Sequence, residues 1–177
     1  MAFRLRQDVD DWFNQIREQK PIETKFDLYY LCLMLGFATG RSSSPSARCE
    51  RVSEGFVDNF VKDYRPYQRL IIGLLLTAEL HSLGVTLGES DFVRKKLLEL
   101  VDPASPTNLT EVGMTKLNEF ASGGFDYLTE RVDSKPYHVE EFLQTYARLL
   151  RAAASDNNLW TINNGELPSA PHNTALQ

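Results

Sequence analysis

Cysteine is scarce. The 177-residue chain has two, Cys32 and Cys49. Two such residues build neither a disulfide framework nor a zinc site, so a reducing compartment is expected. Cys32 lies in the most apolar stretch and reads as a small core residue. The three histidines, His81, His138 and His172, are scattered, and none has a second ligand at metal-binding spacing. Glu79 and His81 are two apart and do not share a helix face. The glycines match neither the phosphate-loop nor the dinucleotide pattern. No nucleophile elbow surrounds Ser42, Ser43, Ser44 or Ser46. A nuclease would need several acids and a lysine converging on a strand edge; ESDFVRKK has those letters but a helical pattern. No run reaches the roughly 20 apolar residues of a membrane span. MAFRLRQDVDDWF carries charges where a secretion leader needs an apolar core. Positive charge is short as well: 19 Lys and Arg face 24 Asp and Glu, for a net charge of −5. A free-standing, non-specific DNA binder is usually basic. These absences lead us to expect a cytoplasmic, non-enzymatic protein with no cofactor, no metal and no membrane contact.

The densest apolar stretch is TKFDLYYLCLMLGFATGR, residues 24–41. Between Phe26 and Ala38 its one ionisable carboxylate is Asp27. The stretch is too long for an ordinary strand and too short to span a bilayer. It reads as a helix buried nearly all round, the central post of a helical domain. Thr24 and Asp27 have capping-box spacing, with Asp in place of Glu. Gly40 is a natural stop, because it can take the left-handed conformation past the last turn.

Other helices are expected around that post. Residues 5–18 place Leu5, Val9, Trp12, Phe13 and Ile16 at helical spacing, ending before Pro21. Residues 52–62 suggest a short helix capped by Ser53, with Val52, Phe56, Val57 and Phe60 inward. Pro66 suits a first turn, and Tyr67–Leu83 gives a second buried helix with Leu70, Ile71, Leu74, Leu75, Ala78 and Leu80 on its apolar face. Gly73 within it costs roughly 1 kcal/mol against Ala, which suggests close approach of another helix. Residues 89–101 are amphipathic, capped by Ser90, with Phe92, Val93, Leu97, Leu98 and Val101 on one side. Residues 108–131 are helical in pattern, with Leu109, Val112, Leu117, Phe120, Ala121, Phe125 and Leu128 as the apolar set. The pair Gly123-Gly124 marks either a break or a close approach. Residues 137–154 close the fold with Val139, Phe142, Leu143, Tyr146, Leu149 and Leu150 inward. The expected class is all-α: a single compact domain over 1–154, with six or seven helices around the central one. A polar tail, 155–177, has Trp160 as its one strong anchor.

The contact candidates are basic. RSSSPSARCER, residues 41–51, carries Arg41, Arg48 and Arg51 against one acid, Glu50. Guanidinium forks suit phosphates and carboxylates; alternatively, Arg41 serves the carbonyl end of the central helix. Arg94, Lys95 and Lys96 form a second basic spot, and Trp160 is a candidate partner anchor in the tail.

The pattern FDLYYLCLMLGFATGR, a hydrophobic second helix, and then NEFASGGFDYLTERV resembles small helical proteins encoded beside DNA phosphorothioation genes and in related bacterial defence islands. The residues that carry the likeness are Phe26, Asp27, Leu35, Gly36 and Arg41, then Phe120, Ala121, Ser122, Gly123, Gly124, Phe125 and Leu128. It covers residues 24–132. The Ser-rich loop and the tail have no counterpart in it. The resemblance implies an accessory subunit of an antiphage defence complex, working with a larger ATPase or nuclease encoded nearby, and meeting DNA through that complex. A related form is the small middle subunit of a three-part system built on an SMC-like ATPase. The alternative is a nucleic-acid-binding module that uses the loop from Arg41 to Arg51.

Overall fold

In the computed structural model, residues 1–44 and 53–156 are described. The chain is mostly helical. The expected post is present as α2, Lys25–Thr39. Thr24 Oγ1 accepts from the Asp27 amide while the Asp27 carboxylate accepts from the Thr24 amide, which closes the capping box. Gly40 ends the helix at φ 64°. No residue from 26 to 40 is exposed.

A second post lies against it. Helix α5, Glu111–Arg131, is buried without interruption from Phe120 to Leu128. It runs straight through Gly123-Gly124, so the glycines serve close approach rather than a break. A Cβ on Gly124 would fall on the carbonyl oxygen of Cys32, and one on Gly36 would fall on that of Phe120. Backbone meets backbone where α2 and α5 cross. Thr110 caps α5, accepting from the Gly113 amide at 3.0 Å. The helix therefore begins at Glu111, not Asn108.

The all-α expectation holds in its coarse form, a mostly helical chain, and a small two-stranded sheet departs from it. Strand β1 is Phe3–Arg6, and β2 is Ser53–Val57. They pair antiparallel, with Arg6 opposite Ser53 and Phe3 opposite Val57. The residues of FRLR alternate apolar and charged, a period of two that the longer helical pattern over 5–18 conceals. Only Gln7–Trp12, α1, is helical in that stretch; turns follow. Leu5, Val9, Trp12, Phe13 and Ile16 are nevertheless all buried. In place of the expected helix over 52–62 stands the strand Ser53–Val57, followed by bends and turns, so no helix begins at Ser53; Val52 lies outside the described residues. Phe60 is buried as expected, edge-on to Phe3 at 4.9 Å between ring centroids.

After a 3₁₀ turn, Arg65–Tyr67, comes α3, Gln68–Ser82. Ile71, Leu75, Ala78 and Leu80 are buried, but Leu70 is 57% exposed. Among the described residues no atom lies within 4 Å of a Cβ built on Gly73, so the expected close approach of another helix is not made there by any of them. Helix α4, Ser90–Leu100, starts at Ser90, which caps nothing. Its buried residue is Leu100; Phe92, Val93 and Val101 are half covered, and Leu97 and Leu98 are exposed. α4 rests on α3 and on the start of α5, which leaves the rest of its apolar side unpacked. Val112, placed in the apolar set, is also exposed. Helix α6, Val139–Asp156, lies on α2 and buries Val139, Phe142, Tyr146 and Ala153. Leu143, Leu149 and Leu150 are half covered, and the helix ends two residues beyond the expected boundary at 154.

Candidate interaction site

Arg41 follows the left-handed Gly40 and turns its guanidinium to α5. It donates to both carboxylate oxygens of Glu130, at 2.6 and 3.0 Å. The same group lies over the Tyr127 ring, 5.9 Å from its centroid. The Glu130 hydrogen bond raises its pKa, against a smaller opposing effect of burial. Arg41 therefore ties the end of α2 to the end of α5, and enters a phosphate contact only by giving up a two-pronged pair.

Ser43, two residues on, is tied down as well. Its amide donates to the Glu119 carbonyl at 3.0 Å, and its hydroxyl to Asp126 at 2.8 Å. Asp126 also accepts from Arg6 at 2.6 Å, and Arg6 pairs with Asp8. Burial works against the Arg6 charge, but its hydrogen bonds to Asp8 and Asp126 outweigh that and raise its pKa. Arg6 also stands opposite Ser53 in the sheet, so the strand that carries this cluster's cation pairs with the strand that begins at Ser53. The crevice beside Arg6 has a volume of about 10 Å³, room for about one water, and takes no larger ligand. Sequence reasoning missed the cluster. Its signal was the set Asn118, Ser122 and Asp126, polar residues four apart on the same side of α5 as the apolar Phe125.

Arg48, Arg51 and Trp160 lie outside the described residues. Arg94 and Lys95 are exposed and pair with no described residue. Lys96 is half buried and pairs with Glu99 at 2.9 Å. The two basic spots are not brought together. Arg41 meets Glu130, whereas Leu100 at the end of α4 meets Gly113. Those α5 positions are about 26 Å apart at the rise of an α-helix.

Other polar groups serve the fold. Glu79 is buried on α3, with Lys116 Nζ at 3.8 Å. Burial pushes the Cys32 thiol up, away from thiolate chemistry. His81 and His138 stand apart on α3 and before α6, and His172 lies outside the described residues. Among the described residues no group of His, Cys, Asp and Glu could hold a metal ion. A groove of about 490 Å³ runs beside the start of α6, past Lys135, Tyr137, His138 and Glu141. Its lysine already donates to the Asp11 carbonyl at 3.0 Å. No helix is long and apolar enough to cross a membrane among the described residues. Compared with known protein families, curated proteins and solved structures, the chain matches none.

Proposed function

We propose that the protein is a non-catalytic interaction subunit of a DNA-targeting bacterial antiphage defence complex, bridging a larger ATPase or nuclease encoded nearby. The defence setting rests on the sequence resemblance over residues 24–132. What supports the interaction role is the surface of the α3–α4 hairpin. It exposes Leu70, Leu83, Leu87, Leu97 and Leu98 on a body whose other apolar side chains are largely packed. Five exposed leucines on one hairpin are what a contact surface supplies. The engagement of Arg41 by Glu130 weighs against the loop as the first point of nucleic-acid contact. The test is purification of the tagged chain from cells that also express its neighbouring genes. A stoichiometric complex containing an ATPase or nuclease is expected, together with no DNA binding by the isolated chain in a salt titration. Purification of the chain alone, or salt-dependent DNA binding without partners, overturns this reading.

A further inference from the structure

We infer that the outer face of the α3–α4 hairpin is a docking surface for an acidic amphipathic helix of a partner protein. The inference rests on the interaction-subunit reading and says which surface is used and what chemistry it selects. The hairpin is α3, the turn 83–89 and α4. The Gln68 side-chain amide donates to the Pro106 carbonyl at 3.4 Å, which holds the start of α3 beside the chain leaving α4. Leu70 and Tyr67, 57% and 53% exposed, stand at that open end, as do Leu97 and Leu98, 42% and 69% exposed. Leu83 and Leu87 stand at the turn. Apolar contact is therefore available at both ends of the hairpin, where a helix laid along it would be held.

Charge selects the occupant. Arg69, Arg94 and Lys95 are exposed on the two helices and make no ion pair with a described residue. Glu79, the one acid of α3, is buried, and the exposed acids of the hairpin, Glu89 and Asp91, stand at or next to the turn. Leucines thus sit among free cations on a chain whose net charge is −5. A second copy would set Arg69, Arg94 and Lys95 against a surface that offers only Glu89 and Asp91 in return. An anionic lipid surface would attract these cations but repel the acidic body around them. A partner helix with leucines on one face and Glu or Asp beside them satisfies both features, because screening limits its charges to the cations nearby.

The test uses two synthetic, fluorescein-labelled helices with the same leucine stripe, one flanked by Glu and one by Lys. Anisotropy is read against the wild-type chain and against Leu70→Glu and Leu98→Glu. Both positions are exposed, so a thermal melt should show each variant folded as the wild type is. The Glu-flanked helix should bind the wild type at least about tenfold more tightly than the Lys-flanked one, and either substitution should weaken it about tenfold or more. Added salt should weaken binding. Equal binding of the two helices, no binding of either, binding of phosphatidylserine vesicles instead, or wild-type self-association abolished by Leu98→Glu overturns the proposal. If neighbouring gene products co-purify equally well with both variants, this surface is wrong while the subunit reading stands. If nothing co-purifies with the wild type, the subunit reading fails and the peptide assay still decides the surface.

Discussion

Two glycines in buried and open settings should respond in opposite ways to a single methyl. Gly124 lies where α5 touches the Cys32 carbonyl, and neither backbone can retreat without repacking. Gly124→Ala should cost at least the upper end of the ~1–3 kcal/mol typical of overpacking. Gly73 faces open space in the middle of α3, so Gly73→Ala should stabilise the chain by ~1 kcal/mol. Urea denaturation of both variants checks the pair. Arg6 makes a third case, since its side chain and that of Asp126 are only 9% and 10% exposed. Arg6→Met takes from the buried Asp126 the cation it pairs with and should cost ~3–5 kcal/mol in the same measurement. Asp27 shows the effect of pH. Burial works to raise its pKa, but hydrogen bonds from Tyr64, Thr24 and Glu23 prevail and lower it below 3.8. A lowered folded-state pKa gives stability that is complete above the unfolded value and is lost as pH falls through the folded one. Asp27→Asn should therefore melt lower at pH 7 and show a flatter loss of stability as pH falls below the ordinary carboxylate value of 3.8.

Element by element, legibility followed the number of faces a segment buries. Helix α2 was readable end to end, because apolar residues all round it, a capping box and a terminal glycine agree. The core residues of 5–18 were readable but their conformation was not. Leu5, Val9, Trp12, Phe13 and Ile16 fit a helical period while the chain in fact passes through a strand, a short helix and turns. That strand has a partner some fifty residues away, and nothing in a local period reports a distant partner. Phe3 and Leu5 are buried through it, so deleting residues 1–6 should lower the melting temperature despite removing no long helix. α5 was under-read as a core element because Asn118, Ser122 and Asp126 dilute its apolar pattern, although each is satisfied inside. α4 was over-read for the opposite reason: its apolar side is real, but Leu97 and Leu98 on it remain exposed. Of the contact candidates, the sequence showed that Arg41 stands at a helix end and Arg94 and Lys95 on a wet face. It could not show that Glu130, eighty-nine positions along, claims Arg41.

For the molecule as a whole, buried phenols set an alkaline limit. Burial raises the pKa of Tyr29, Tyr64 and Tyr146 above the ordinary 10.0. Stability held below the unfolded value should be lost as pH climbs past it, so melts at pH 9, 10 and 11 should fall in that order. The crossing of α2 and α5 also dictates how the chain acquires its shape. The two helices touch through residues about ninety positions apart, Cys32 and Gly124. Such a contact requires a long loop to close before it returns any stabilisation, which slows folding relative to bundles of neighbouring helices. On the ribosome, α2 emerges well before the helix that covers it. At about 5–20 residues per second, its apolar surface waits several seconds for α5. A nascent chain halted near residue 110 should accordingly bind a holdase chaperone and be cut by protease, whereas release of the next thirty residues should make it resistant.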